Sequence, residues 1–474
     1  MSDTSMIVTC LAAAAGFLGS GAMGDSVPME RLYYDGLDEH GNLVGGVLEV
    51  PLPVLQHGNL RNRGTFETIW GTGPSSNRID IAMVGDGYTA GELGLYTSQA
   101  QAVTNALFAQ EPFLSYGALF LVHRIDVVSN ESGVDNDPTE GIDRDTAMDM
   151  AFWCNGIERL LCINVSKAVG FAGAAPGHEQ ILALANSTKY GGAGYSSSDL
   201  GTVSGGNSAA FEVAIHELGH SFGDLADEYD YGGGTNYPYG EPSEPNISTL
   251  TASQMAAADT KWANWLGFND PQWDGLVDTY EGAAYYTNGI YRPTWNSKMR
   301  ALNRPFNPPS VEAFILEMYA IVDPLDDWTP TGPILDGSET VLAQPVQPGG
   351  HELTITWFLD GVTIVGQTEP TIDLSTLAIP SGPHTLAVIV QDETLWVRDE
   401  AARAALMTRS LSWNMDVVQP CLGDLDGNGT VAVNDLLAVI DAFGTSSPSG
   451  DANGDGIVNT DDILVILSAW GACP

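Results

Sequence analysis

Basic residues are scarce in this chain. Lys and Arg number 17 against 60 Asp and Glu, leaving a formal net charge of −43 over 474 residues. A surface of that sign repels phosphate backbones and anionic membranes, so no nucleic-acid partner is expected, while carboxylate-rich loops can hold cations. Long apolar runs are missing as well. Beyond residue 24 no segment stays apolar over the ~20 residues that a bilayer requires, so no transmembrane segment is expected. Cysteine is sparse, with five in all. Cys10 falls at the very N-terminus. The others fall as two pairs, Cys154 with Cys162 and Cys421 with Cys473, each inside one apparent module, as disulfides of an exported protein would. Four cysteines allow three connectivities, and this is the one the modules favour.

Residues 1–24 fit the same picture. An apolar run from Met6 to Leu18 leads into Ser20-Gly21-Ala22, the pattern of a signal peptide with its cleavage site, although no Lys or Arg precedes it. The protein is therefore expected to be secreted or associated with the cell surface.

Histidine is also rare, with eight in the chain, and two of them stand in His216-Glu217-Leu218-Gly219-His220. Ser208 to Phe222 reads as one amphipathic helix, ended by Gly223, where a left-handed residue can stop it. Residues four apart share a helix face, so both imidazoles can reach one zinc ion. Glu217, the next residue, is placed to serve as general base toward a water on that metal. A third ligand is needed, and GDLADEY offers Asp224, Asp227 and Glu228. Asp224 is too near the helix end to swing round.

The stretch resembles the metzincin pattern H-E-x-x-H-x-x-G-x-x-His/Asp, with Gly223 at the glycine. The third ligand would then be residue 226, which is Ala226. An extra residue in the turn would bring Asp227 to the zinc, with Glu228 the alternative. Met299, in NSKMR after Arg292-Pro293, stands where metzincins place a methionine turn as an apolar floor. HELGHSFGDLADEY, EPNIS (244–248), KWANW (261–265), EGAAYYTNGIYRP (281–293) and MRALNRPFNPPSVEA (299–313) together resemble the IgA-peptidase family of secreted bacterial metallopeptidases, over roughly residues 30–418. The resemblance implies a metalloendopeptidase with one zinc on His216 and His220, Glu217 as base, and a protein or peptide substrate. Family members commonly carry cysteines near the methionine turn and in the run that follows it. Here those places read Asn296-Ser297-Lys298 and Phe306-Asn307-Pro308-Pro309-Ser310, so the rigidity of the cleft floor is in question.

The rest of the chain divides by composition. Residues 25–75 carry short alternating runs broken by Gly and Asn, expected to form a small β-rich N-terminal domain. From 76 to 330 strands and helices alternate, as in an α/β catalytic domain: strands at 78–88, 118–129 and 178–186, helices at 92–110 and 159–171, then the zinc helix. Lys189 to Gly194 (KYGGAG) is a plain turn or a strand bordering the cleft. After a Pro-rich break at 323–333, residues 331–419 show strands at sandwich-like spacing, expected to form an Ig-like β-sandwich.

Residues 420–474 hold an internal repeat of two loops with the EF-hand pattern. Calcium ligands are expected from Asp424, Asp426, Asn428, Thr430 and Asp435 in one, and from Asp451, Asn453, Asp455, Ile457 and Asp462 in the other. Thr430 and Ile457 would contribute backbone carbonyls. Paired loops with Asp at the last position, each followed by an apolar helix, resemble type I dockerins, which implies two calcium ions and a cohesin-like scaffold or surface partner. The fold expected is thus multidomain: an α/β metzincin-like peptidase, a β-sandwich and a small α-helical dockerin-like module. Two other functions fit the same residues: a catalytically retired adhesion or scaffold-binding protein, or a zinc amidase or exopeptidase.

Overall fold

The computed structural model describes residues 28–37, 43–52, 64–417 and 421–473. The expected signal peptide and Cys10 lie outside the described residues. Among those described, no helix is long and apolar enough to cross a membrane.

One mixed eight-stranded sheet organises the first half of the chain. Its strands are β1 (Met29–Leu37), β2 (Leu43–Pro51), β3 (Thr65–Trp70), β4 (Ile79–Asp86), β5 (Phe120–Asp126), β6 (Gln180–Ala185), β7 (Gly192–Tyr195) and β8 (Leu200–Ser204). They lie in the order β2-β1-β7-β8-β6-β4-β5-β3. The central four, β5, β4, β6 and β8, are parallel, and every residue of β4 and β6 is buried. Strands covered on both faces read as continuous apolar runs, which is why these two were legible in sequence. Alternate side chains point to opposite faces. Ile79, Ile81, Met83, Leu182 and Leu184 enter one core, while Ala82, Val84, Ile181, Ala183 and Ala185 enter another.

Two helices cover the first of these faces. In α1 (Leu93–Leu107) the buried Tyr96, Ala100, Val103 and Leu107 form a single stripe. A short α2 (Phe113–Tyr116) follows it. The other face is covered by α3 (Val165–Ala172), shorter than the helix expected over 159–171. Asn164 caps it by accepting a hydrogen bond from the Lys167 amide, and the residues before it pair as isolated bridges, Ala151 with Cys162 and Leu160 with Gly192. A disulfide joins Cys154 and Cys162.

The β-rich unit expected over 25–75 is not separate. Its strands form both edges of the eight-stranded sheet, β2 and β1 at one side and β3 at the other. Leu32 packs into the second core. A two-stranded hairpin has no second layer in which to bury its apolar face, so it joins the larger sheet.

Helix α4 (Ala210–Ser221), which carries His216, Glu217 and His220, also lies on the first face, beside α1. The region after it is mostly irregular, with α5 (Ala252–Ala258), a small pair β9 (Asn269–Asp270) and β10 (Gly275–Leu276), and a hairpin of β11 (Tyr280–Ala283) and β12 (Tyr286–Arg292). Helix α6 (Pro308–Ile321), capped by Asn307, returns Phe314, Ile315 and Met318 to the first core.

Two small antiparallel sheets follow: β13 (Leu325–Trp328), β14 (Thr340–Pro345) and β17 (Thr371–Asp373) in one, and β16 (Val362–Thr363), β15 (Thr354–Leu359), β18 (Gly382–Gln391) and β19 (Thr408–Val417) in the other. They share a core in which Trp357 and Trp413 stack, and α7 (Glu400–Leu406) links β18 to β19. β13 starts inside the Pro-rich break, ahead of the expected boundary at 331. This unit is docked on the catalytic layer rather than strung beyond it. Tyr116 and Tyr319 both donate to Asp392, at 3.0 and 2.9 Å, and Arg78 pairs with Asp326 at 2.7 Å.

Residues 421–473 build around their own small core of Val431, Val439, Val458 and Ile466. It holds α8 (Val433–Ala442), α9 (Thr460–Ser468) and a short pair of β20 (Thr430–Val431) with β21 (Gly471–Ala472). The Cys421–Cys473 disulfide clasps its ends.

Candidate metal centre

His216 and His220 stand one turn apart on α4 and are buried, with their Nε2 atoms 3.2 Å from each other. Each Nδ1 is committed elsewhere: His216 Nδ1 lies 3.1 Å from the Lys298 carbonyl and His220 Nδ1 2.7 Å from that of Leu225. A carbonyl only accepts, so both Nδ1 atoms donate, and the rings are aimed with Nε2 toward a common point.

Two carboxylates meet them there. Asp227 Oδ1 lies 3.2 Å from His216 Nε2 and 3.5 Å from His220 Nε2. Asp35 Oδ2 lies 2.8 and 3.9 Å from the same atoms. All four ligand atoms fall within 4.8 Å of one another.

Asp227 reaches this point through the turn after α4. The left-handed residue is Asp224, with φ of 49°, and not the expected Gly223. The Asp227 carbonyl accepts from the Ala284 amide at 2.9 Å, and Tyr285 donates to Asp227 Oδ2 at 2.5 Å. Ala284 and Tyr285 both carry positive φ, 47° and 72°. Two successive non-glycine residues in that region cost about 1–3 kcal/mol each and are kept only where the surroundings enforce them. Here the strained pair aims a hydroxyl at a ligand. Tyr229 does the same for Asp35, donating to Oδ1 at 2.6 Å.

Sequence reasoning missed Asp35, Tyr229 and Tyr285. Tyr229 and Tyr285 sit inside motifs already singled out. Asp35 is a lone acid in a short alternating run, and nothing local marks it.

The residues fit a zinc ion. Asp35 Oδ2, Asp227 Oδ1 and both oxygens of Glu217 are buried without a hydrogen-bond partner, a costly state unless a cation completes it. Two imidazoles and carboxylate oxygen form a donor set that suits zinc. Electrostatics agree. Burial opposes charge on His220, yet Asp227 and Asp35 outweigh it and push its pKa up to about 10. His216 moves the same way. Burial, reinforced by Asp35, pushes Glu217 up to about 8. Either protons on the imidazoles or one shared cation balances the carboxylates.

Glu228, the alternative third ligand, is engaged elsewhere. Its carboxylate accepts from Asn246 at 2.9 Å, Asn307 at 2.8 Å and Ser297 at 2.7 Å, all buried. Ser297 and Asn307 lie in the two segments where cysteines were noted as missing. A buried carboxylate thus ties together the strands of chain that a cross-link would otherwise join, and the floor of the site is braced. Met299 directly follows the first of those segments. It is fully buried, its carbonyl accepts from the Glu228 amide at 2.8 Å, and its sulfur packs against Gly219.

Above the site, β7 runs beside Glu217: a Cβ added at Gly194 would meet Glu217 Oε2 at 2.7 Å. The strand directly before α4 is β8, so the KYGGAG stretch borders the cleft one strand further out. Tyr33 of β1 stacks on His220 with ring centroids 4.1 Å apart. A cleft opens beside it, lined by Arg31, Tyr33, Tyr237, Glu241, Glu244 and Tyr286.

In the C-terminal module the two repeats share a backbone hydrogen-bond pattern. Asp424 accepts from the amides of Asn428 and Gly429, and Asp451 from those of Asp455 and Gly456. Asp424, Asp426 and Asp435 bring ligand oxygens within 4.8 Å of one another. Asp435 and Asp462 are buried and bind the amides at the start of their loops.

No curated protein matches the chain. Residues 68–274, a narrower span than the resemblance at roughly 30–418 but one holding His216, Glu217, His220 and Asp227, match the family model of IgA Peptidase M64, which indicates a metallopeptidase domain.

Proposed function

We propose that this protein is a secreted zinc-dependent endopeptidase that cuts extracellular protein or peptide chains, tethered through a calcium-binding dockerin-like module. The observation that carries the reading is the buried cluster of His216, His220 and Asp227 with Glu217 beside it, both Glu217 oxygens unpartnered. Zinc bound there would lower the pKa of a coordinated water to about 7 and polarise a carbonyl. His216, His220 and Asp227 would hold it, with Tyr285 fixing the Asp227 carboxylate. Glu217 takes a proton at one Oε and later delivers it to the departing amine, a role worth roughly 10²–10⁴-fold. Extended substrate would lie along β7, whose outer edge β1 pairs over only two residues, Leu32 and Tyr33. Met299 and the Glu228 network keep α4 in place.

The acidic surface, the paired cysteines and the leader-like residues 1–24 support export. Equivalent positions of the C-terminal repeat expose Leu437 and Leu464, Ile440 and Leu467, and Phe443 and Trp470. These apolar faces support docking to a cohesin-like partner.

The test compares wild type with Glu217→Gln and His220→Ala, counting zinc and reading fragments of an unfolded protein by mass. Zinc in wild type and Glu217→Gln but not His220→Ala, with internal cuts by wild type only, is the expected result. Trimming from chain ends would favour an exopeptidase, and cleavage by Glu217→Gln at the wild-type rate would overturn the mechanism. Equal, negligible zinc in all three would favour a retired, partner-binding protein.

A further inference from the structure

We infer that the β1–β2 hairpin is a built-in inhibitor of the zinc site, with Asp35 filling the coordination position that hydrolysis needs open. The inference rests on the zinc-peptidase reading above.

The donor count is the first reason. Four protein atoms converge on the site, the number found in closed structural zinc sites, whereas catalytic sites use three and leave one position free. One of the four must therefore be removable. His216 and His220 are fixed on α4. Asp227 is held by Tyr285 and by the backbone bond to Ala284. Asp35 alone arrives from outside the span that carries the other three. Its strand pairs with β2 along its whole length, whereas its ladder with the rest of the sheet spans two residue pairs, Leu32 with Tyr195 and Tyr33 with Gly194, extended by the Ser196 amide donating to the Arg31 carbonyl at 3.2 Å and by Leu32 in the second core.

The place of that contact is the second reason. With the hairpin gone, β7 would be the sheet's edge, and an exposed edge accepts an extended chain by backbone pairing. That edge passes directly over Glu217 at Gly194. β1 occupies it now, antiparallel, where a substrate would lie. The side chains extend the blockade. Tyr33 covers the ring of His220, and Arg31 forms an ion pair with Glu244 across the cleft. Tyr229 accommodates Asp35 specifically, binding Oδ1 and leaving the unpartnered Oδ2 facing His216. The hairpin is thus seated as an extended peptide with a carboxylate at the metal.

The experiment uses the full chain as wild type, Asp35→Asn, Asp35→Ala and Tyr33→Ala, each loaded with zinc. Zinc is counted, acetohydroxamate binding is measured by calorimetry, and cleavage of an unfolded protein is timed. All three variants should keep zinc at the wild-type ratio. They should bind acetohydroxamate roughly tenfold or more tightly, because a larger fraction of molecules presents an open site, and should cut faster in the same order. Tyr33→Ala uncovers the His220 ring but removes no donor atom, so a shift there in the same direction with zinc retained separates inhibition from a change of donor set. Loss of zinc from the Asp35 variants would make Asp35 a permanent ligand and overturn the inference. So would unchanged zinc, unchanged hydroxamate affinity and unchanged rate. Absence of zinc from wild type as well would overturn the metal reading itself, and the inference with it.

Discussion

Met299 Sδ occupies the space that any side chain at Gly219 would need: a Cβ built there would come within 2.5 Å of it. Gly219 lies between His216 and His220, so the methionine fits under the helix only because the motif has no side chain at this point. Gly219→Ala is expected to push Met299 down or α4 up. Overpacking of this kind costs about 1–3 kcal/mol, despite alanine's better helix propensity. Denaturant unfolding should show that loss, with weakened zinc retention. Unchanged stability would mean that the floor yields freely.

Asp227 and Glu228 are neighbours with different duties, and substitution should separate them. Asp227→Ala is expected to release zinc while leaving the fold nearly intact. Glu228→Ala strands the donors of Ser297, Asn246 and Asn307 in a buried site and should cost about 3 kcal/mol, with zinc still bound once the protein is folded. Zinc counting and unfolding midpoints read both effects. Zinc loss from Glu228→Ala alone would reverse the assignment.

Asp392 should couple stability to pH. It is buried where the small sheets meet the catalytic layer. Burial works to raise its pKa, but the His351 contact at 2.8 Å, the Thr394 amide and the Tyr319 hydroxyl outweigh this and hold it below the ordinary carboxylate value. A group depressed in the folded state contributes its full stabilisation above the unfolded pKa of ~3.9 and loses it as pH falls through the folded value. Wild type should therefore lose stability below about pH 4 more steeply than Asp392→Asn. Parallel profiles for the two proteins would contradict this.

Calcium removal should act locally. Without a cation, Asp424, Asp426 and Asp435 face one another within 4.8 Å, and like charges at that distance repel. Calcium at about a hundred times its dissociation constant should add roughly 2.7 kcal/mol per site. Hydrogen exchange of the full chain in EGTA should accelerate across 421–473 and hardly at all in β4 or β6. Exchange in 421–473 that ignores EGTA would count against calcium there.

Local pattern alone was enough for several parts of this protein. His216, Glu217 and His220 are spaced by the helix itself, so their shared face follows from sequence. Strands β4 and β6 announce themselves as apolar runs because both of their faces are covered. The C-terminal loops repeat their acidic spacing within one short segment. Tertiary structure decided what depends on distant chain meeting. Asp35 reaches His216 and His220 only when a hairpin too small to fold alone joins the sheet edge beside α4. Asp227 rather than Glu228 turns toward His216 and His220 because a strained Tyr285 and a buried polar network divide the two carboxylates between them. Helical and strand periodicity set by the backbone can be read along a sequence, whereas contacts between remote segments depend on how the layers stack, which no local spacing records.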